Sequence, residues 1–141
     1  MLKNLTKGRK LLLCGTLLIL IAAIGFGLNY WFTYTAYKQD VKAIQVQNID
    51  LSTIADGEYY GDCDVDFVRA RVRVVVKDHW MTELEMLEHY NDRGAAANDL
   101  PNRILEQQRI DVDAVSGATS SSKVIQEAVY NALTGERTIR Q

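Results

Sequence analysis

The stretch Asp113–Leu133, DAVSGATSSSKVIQEAVYNAL, holds the residues of this chain best suited to chemistry. Small and hydroxyl-bearing residues stand directly ahead of a segment with helical periodicity. Two uses fit them. A Ser or Thr hydroxyl can accept from an exposed N–H in the first helical turn, a cap typically worth ~1 kcal/mol. A helix N-terminus with small neighbours is also a ready phosphate site, because exposed N–H groups and the helix dipole both favour an anion. Spacing alone favours the cap, since Ser or Thr ahead of a helix is ordinary. Against it, four hydroxyls in a row, Thr119 to Ser122, exceed what one cap needs, and Gly117-Ala118 lets backbone approach a ligand closely. A nucleotide P-loop is excluded: in GATSSSKV, Ser122 replaces the second glycine and Val124 the Mg²⁺-binding hydroxyl.

Other groupings carry less. Asp62, Asp64 and Asp66 have the spacing of a Ca²⁺ loop, but Phe67 occupies its glycine position and Arg73 its terminal glutamate. Strand alternation explains them better. His89 is a lone histidine, more often structural than functional. Tyr59, Tyr60, Trp80 and Tyr90 are large enough to stack on a planar ligand, though aromatics of a small sheet are usually core. Cys14 and Cys63 fall in unlike segments and cannot pair with each other, and Cys63 is expected to be a small buried apolar residue.

The elements that must position the Asp113–Leu133 stretch form an α+β domain: a small antiparallel sheet packed with two C-terminal helices. DGEYYG (56–61) punctuates the chain as a turn. DCDVDF then alternates, with Cys63, Val65 and Phe67 on one face and the aspartates on the other. VRARVRVVVK sets Val68, Ala70, Val72, Val74 and Val76 inward and Arg69, Arg71 and Arg73 outward. A three-residue loop over Asp78-His79-Trp80 would oppose Val74 to Leu84, Val72 to Met86 and Arg73 to Glu85, matching both faces and crossing opposite charges. A two-residue turn would oppose Val74 to Glu83 and is disfavoured. NDRGAAAND (91–99) reads as a loop. LPNRILEQQ is a short helix with Asp99 as N-cap, Pro101 in the first turn, and Leu100, Ile104 and Leu105 facing in. The last helix is predicted from about Ser121 to Leu133, with Val124, Ile125, Ala128, Val129, Ala132 and Leu133 as its apolar stripe and Gly135 ending it.

Ahead of this domain, Leu11–Trp31 is an uncharged apolar run. As a helix it spans ~30 Å, the thickness of a hydrocarbon core, and Tyr30, Trp31, Phe32, Tyr34 and Tyr37 follow as boundary aromatics. The run is long for a cleaved signal peptide and lacks a small-x-small cleavage site. Leu13 before Cys14 argues against lipid attachment. Lys3, Lys7, Arg9 and Lys10 precede the run, so the positive-inside bias puts the N-terminus in the cytoplasm. The expected organisation is a basic cytoplasmic tail (1–10), a transmembrane helix (11–32), a polar stalk (33–53) and an extracytoplasmic domain (54–141). Beyond Asp40 the chain holds 11 basic and 17 acidic residues, a net charge of about −6, which argues against nucleic acid and against docking on anionic lipid.

DGEYYG, the strand block through EHYNDRG, and above all RIDVDAVSGATSSSKVIQEAVYNAL resemble the FMN-binding domain of bacterial membrane electron-transfer proteins. These include the C subunit of the sodium-translocating NADH:quinone reductase and the G subunit of the Rnf complex. The likeness covers about Ile54 to Leu133, and its most specific piece is Asp113, Ser116, Gly117, Ala118 and Thr119. The resemblance implies FMN esterified through its phosphate to Thr119, installed from FAD by a separate Mg²⁺-dependent flavin transferase. It also implies a cofactor site of Asp113, Ser116, Gly117, Ala118, Thr119 and Ser120. Two departures stand out: His79 where relatives often have a turn glycine, and a chain much shorter than those subunits, which points to a free-standing relay. The implied function is a membrane-anchored extracytoplasmic flavoprotein that takes electrons from a membrane donor and passes them to an extracytoplasmic acceptor. It is a carrier more than an enzyme with its own substrate. The competing readings are a flavin-free anchored binding or sensory module, and a flavin-dependent reductase of a small exported substrate.

Overall fold

The computed structural model of the chain describes residues 7–91 and 94–135. Two compact units divide it, Met1–Ala36 and Tyr37–Gln141. Helix α1 (Lys7–Ala43) is long and apolar enough to cross a membrane. Within the first unit, Thr16 and Thr33 donate to the carbonyls of Leu13 and Asn29, each at 3.0 Å, so these hydroxyls are satisfied inside the helix. Tyr30 and Tyr34 stack with ring centroids 6.3 Å apart.

The second unit is a three-stranded antiparallel meander, β1 (Gly57–Val65), β2 (Val68–Lys77) and β3 (Trp80–Tyr90), in spatial order β1-β2-β3. α3 (Thr119–Thr134) lies across β1 and β2, and α2 (Leu100–Gln107) lies against β3. This is the α+β arrangement expected from the sequence. Period-two burial is clean: Cys63, Val65, Val68, Ala70, Val72, Val74 and Val76 are buried under the helices. The predicted stripe of α3 is buried in full, and Gly135 closes that helix in a left-handed conformation, φ +73°. Cys63 is fully buried, and burial, helped by the carboxylates of Glu127, Asp64 and Asp62, pushes its thiol up to about 12.

The β2–β3 register is the expected one, Val74↔Leu84, Val72↔Met86 and Arg73↔Glu85, but it is reached differently. Lys77 pairs with Trp80, so the connection is a two-residue turn rather than a three-residue loop. Asp78 and His79 both take positive φ, 50° and 66°, the geometry of a type I′ hairpin turn, and Asp78 N–H donates to Asp56 Oδ1 at 2.8 Å. The register shift between Val75 and Val76 leaves Thr82 outside the residue pairing of β2 and β3, and this bulge restores the register that a two-residue turn alone would miss. On the outer face Arg73 reaches Glu58, Glu83 and Glu85 at 2.8–3.0 Å, and Arg69 reaches Asp64 at 2.7 Å.

Several boundaries also move. DGEYYG is not a turn, because Gly57–Gly61 belong to β1. Phe67 leaves the strand: it sits in the β1–β2 connection, where Asp66 has φ +57°, and packs edge-on against Tyr37 at 5.3 Å. Of the residues expected to form a stalk (33–53), 37–53 are part of the second unit. Val41 and Ile44 are buried, and Val46, Ile49, Leu51 and Ile54 pack against the core. Asp99 occupies the N-cap position of α2 without capping it; its Oδ1 accepts from Asn102 instead.

Candidate functional site

The segment between α2 and α3 is laid down from below. Gln126, buried on α3, donates from Nε2 to the carbonyls of Ile110 and Val112 at 2.9 and 2.7 Å. Asn48 Oδ1 accepts from Ile110 N–H at 3.0 Å. Beyond Val112 the chain rises to the surface, with Asp113 and Ala114 exposed, and turns back at Val115–Ala118. Ala118 N–H donates to the Val115 carbonyl at 2.9 Å, and Gly117 has φ +77°. That is a type II turn, whose third residue needs the left-handed conformation that glycine adopts without strain. A Cβ on Gly117 would meet nothing within 4 Å, so its requirement is conformational rather than steric.

Helix α3 begins at Thr119, two residues earlier than the sequence suggests. The difference has a physical cause: Ala118, not a serine, takes the N-cap position, and no side chain caps the helix. The simple reading of the hydroxyl cluster as a cap therefore fails. The N–H groups of Thr119, Ser120 and Ser121 have no acceptor among the described residues, which leaves the positive end of a 16-residue helix open to an anion.

The four consecutive hydroxyls have separate fates. Thr119 is exposed, and its hydroxyl makes no hydrogen bond among the described residues. Ser120 is half-buried. Ser121 is buried against Gly94, where a Cβ on the glycine would lie 2.7 Å from Ser121 Cβ. Ser122 is fully buried; its Oγ accepts from Val115 N–H at 3.0 Å and donates to the Ala118 carbonyl at 2.9 Å. Of the other residues singled out, Asp113, Ser116 and Gly117 are exposed beside Thr119 in sequence, while Ala118 turns its side chain into the core and offers only backbone. Asp113 forms no hydrogen bond to the Thr119 hydroxyl. The exposed oxygen of Thr119, the open N–H groups and the uncluttered glycine fit a phosphate held at this helix start.

The aromatic residues divide. Tyr60, Trp80 and Tyr90 are exposed and, by register beside Arg73, Lys77 and Arg69, lie on the sheet face away from α3. Tyr59 packs against the core and donates its hydroxyl to the Ala55 carbonyl at 2.7 Å. His89 shares the inner face with Ala70; its Nδ1 lies 2.6 Å from Asn98 Oδ1, and its Nε2 is buried with no partner among the described residues. The structure brings none of Tyr60, Trp80 and Tyr90 onto the face that carries α3. Among the described residues no group of three or more His, Cys, Asp or Glu side chains is arranged to hold a metal ion.

Sequence reasoning passed over Ser122, Gln126, Gly94 and Gly61. The run of hydroxyls hinted that more than one had work to do. The two glycines gave no local sign, because what they touch lies on α3.

A family model described as FMN-binding domain matches residues 68–134, a span that begins at β2 and ends with α3. This segment is an FMN-binding domain. No curated protein and no solved structure matches the chain.

Proposed function

We propose that this FMN-binding domain carries its FMN as a phosphoester on Thr119 and relays electrons on the extracytoplasmic side of a membrane crossed by residues 11–32. The observation that carries the reading is the Thr119 hydroxyl: exposed, free of hydrogen bonds among the described residues, and placed at the start of α3 directly after the glycine turn. The N–H groups of Thr119, Ser120 and Ser121 are the donors that would face the phosphate. A helix terminus contributes at most ~2 kcal/mol toward an anion, whereas nanomolar retention takes ~12 kcal/mol. A covalent bond removes that shortfall for a protein whose surroundings would dilute released cofactor. Bound FMN supplies the redox chemistry.

Threonine is a weak nucleophile and needs a base. The carboxylate nearest in the motif, Asp113, makes no hydrogen bond to the Thr119 hydroxyl, so the base belongs to a flavin transferase acting on FAD with Mg²⁺. Thr119 Oγ attacks the flavin-side phosphorus. The new Oγ–P bond forms as the pyrophosphate P–O bond breaks, AMP leaves, and the hydroxyl proton passes to the transferase. Asp113, Ser116, Gly117 and Ser120 are the exposed or half-exposed surroundings that such an enzyme meets. The basic flank ahead of the apolar run supports a cytoplasmic N-terminus. A membrane donor and an extracytoplasmic acceptor complete the relay.

The test is mass spectrometry of the Thr119 peptide from protein made in a host that flavinylates related chains, beside Thr119→Ala. The wild-type peptide is expected to carry FMN and the variant to be folded and colourless. Flavin retained covalently on Thr119→Ala would refute the assignment.

A further inference from the structure

Whatever modifies Thr119 must meet the Val115–Ala118 turn in one shape, and very little holds that turn. Ser116 and Gly117 are exposed, and a Cβ on Gly117 would touch nothing. Upstream, the last side-chain anchor of the segment is Gln126 on the Val112 carbonyl. Between Val112 and Thr119 the only side chain that bonds this backbone, among the described residues, is Ser122. Its single oxygen takes both outer ends of the four-residue turn, the Val115 N–H at 3.0 Å and the Ala118 carbonyl at 2.9 Å. The Ala118 carbonyl also accepts from Ser122 N–H at 2.9 Å, so it keeps a partner if the hydroxyl is lost. The Val115 N–H has no other acceptor among the described residues. Ser120 and Ser121 make no such bond, so the three serines are not interchangeable.

We infer that Ser122 is the positioning residue that presets this turn for flavin transfer onto Thr119, an inference that rests on the reading of Thr119 given above. Ser122 is fully buried one turn below the turn it holds, so it cannot itself touch FAD or the transferase. Its effect must run through the turn. Releasing the Val115 N–H lets the turn sample shapes that the transferase cannot use, and a partner that binds one conformer loses apparent affinity in proportion to that conformer's population.

The experiment follows flavin incorporation into full-length protein in detergent, with a transferase that modifies the wild type, FAD and Mg²⁺, over a range of protein concentrations. Ser122→Ala is expected to lower kcat/KM for labelling roughly ten-fold, mostly by raising KM. Amide exchange at Val115 is expected to quicken while the amides of Val124–Leu133 stay protected. Leu133→Ala, at the far end of α3, serves as a variant that loses stability without reaching the turn and is expected to label like the wild type. Labelling of Ser122→Ala within two-fold of wild type, a slowing no greater than that of Leu133→Ala, or unchanged exchange at Val115 would each overturn the inference. Should Ser122→Ala not fold, Gly117→Ala disturbs the same turn from its open side: a comparable fall supports the inference and wild-type labelling overturns it. A wild-type chain that takes no flavin at all would bring down the reading of Thr119 together with this one, an outcome distinct from labelling that merely ignores Ser122.

Discussion

Gly61 sits in the middle of β1 with α3 passing directly over it. A Cβ placed there would lie well inside van der Waals contact of the Ala128 carbonyl oxygen and Ala132 N, and 2.7 Å from Ala132 Cα. All three are backbone atoms of a helix, so no rotamer change relieves the overlap. An ordinary contact begins at 3.4 Å, and Gly61→Ala therefore requires α3 to lift by roughly 1 Å. Val124, Ile125, Ala128, Val129, Ala132 and Leu133 ride on that helix. A gap of ~0.5–1 Å forfeits a quarter to a half of each dispersion contact. The penalty falls at the upper end of the overpacking range, ~3 kcal/mol, which for a domain of this size lowers the Tm by roughly 12–24 °C. Gly57→Ala is the control, since its Cβ would meet the Tyr59 ring at 3.6–3.7 Å, an ordinary contact. Thermal unfolding of the detergent-solubilised protein, followed by circular dichroism, compares the two. A Gly61→Ala melt within ~3 °C of wild type would refute the close approach of α3 to β1 on which the fold description rests.

Gln126→Ala leaves the Val112 carbonyl without its donor inside the core and is expected to cost about 2–3 kcal/mol by urea denaturation; a loss below ~0.5 kcal/mol would contradict the two bonds drawn from this side chain. Cys63 should resist thiol reagents at pH 8 until the domain unfolds, and rapid labelling of the Cys63 peptide in the native protein would show that the thiol is not buried. Because its folded pKa is raised from 9.0 to about 12, the thiol's contribution to stability is complete below pH 9.0 and is lost as pH rises toward 12. Cys63→Ala should therefore lose stability less steeply than wild type over that window, and identical slopes would refute it. Glu58 is held below its ordinary 4.5 chiefly by the Arg73 hydrogen bond, so its stabilisation is present above that value and fades as pH falls through the depressed one; in Arg73→Ala this part of the acid dependence should vanish from pH-dependent melts.

What the sequence reveals best is whatever repeats. Val68 to Val76 alternate with arginines, and Val124 to Leu133 recur at helical spacing, so the sheet face and the α3 stripe follow from period alone. The β2–β3 register followed from matching Arg73 to Glu85, yet the route to it did not, because a bulge at Thr82 is a backbone event with no side-chain signature. The segment 33–53 looked like a stalk because its aliphatics keep no single period. They enter the core from the last turns of α1, then extended chain, then the 3-10 turn over Leu51–Thr53. Gly61 passed for turn punctuation because the atoms it makes room for lie on α3, far along the chain. At the site, the motif residues pointed to Thr119, but the spacing that suggested a cap was misleading: N-cap geometry falls on Ala118, and Ser121 and Ser122 turn inward.

The inward serines belong to a wider pattern in the first two turns of α3. Ser121 packs on Gly94 in the segment after β3, and Ser122 holds the turn before the helix. Lys123 Nζ donates to the Val41 and Ile44 carbonyls at 3.4 and 3.2 Å, where α1 gives way to extended chain, and Gln126 holds the strand-like run after α2. Three separate stretches of chain are thus tied to one helix start by four side chains within six residues. Such density is unnecessary for capping a helix, which one hydroxyl could do. It does suit the attachment point proposed at Thr119, because a covalently held cofactor would need its anchor fixed while its ring stays accessible. Thr119 is then the exposed residue of these first two helical turns, its hydroxyl unbonded among the described residues, and the bonds beneath it explain how so exposed a residue keeps a defined place.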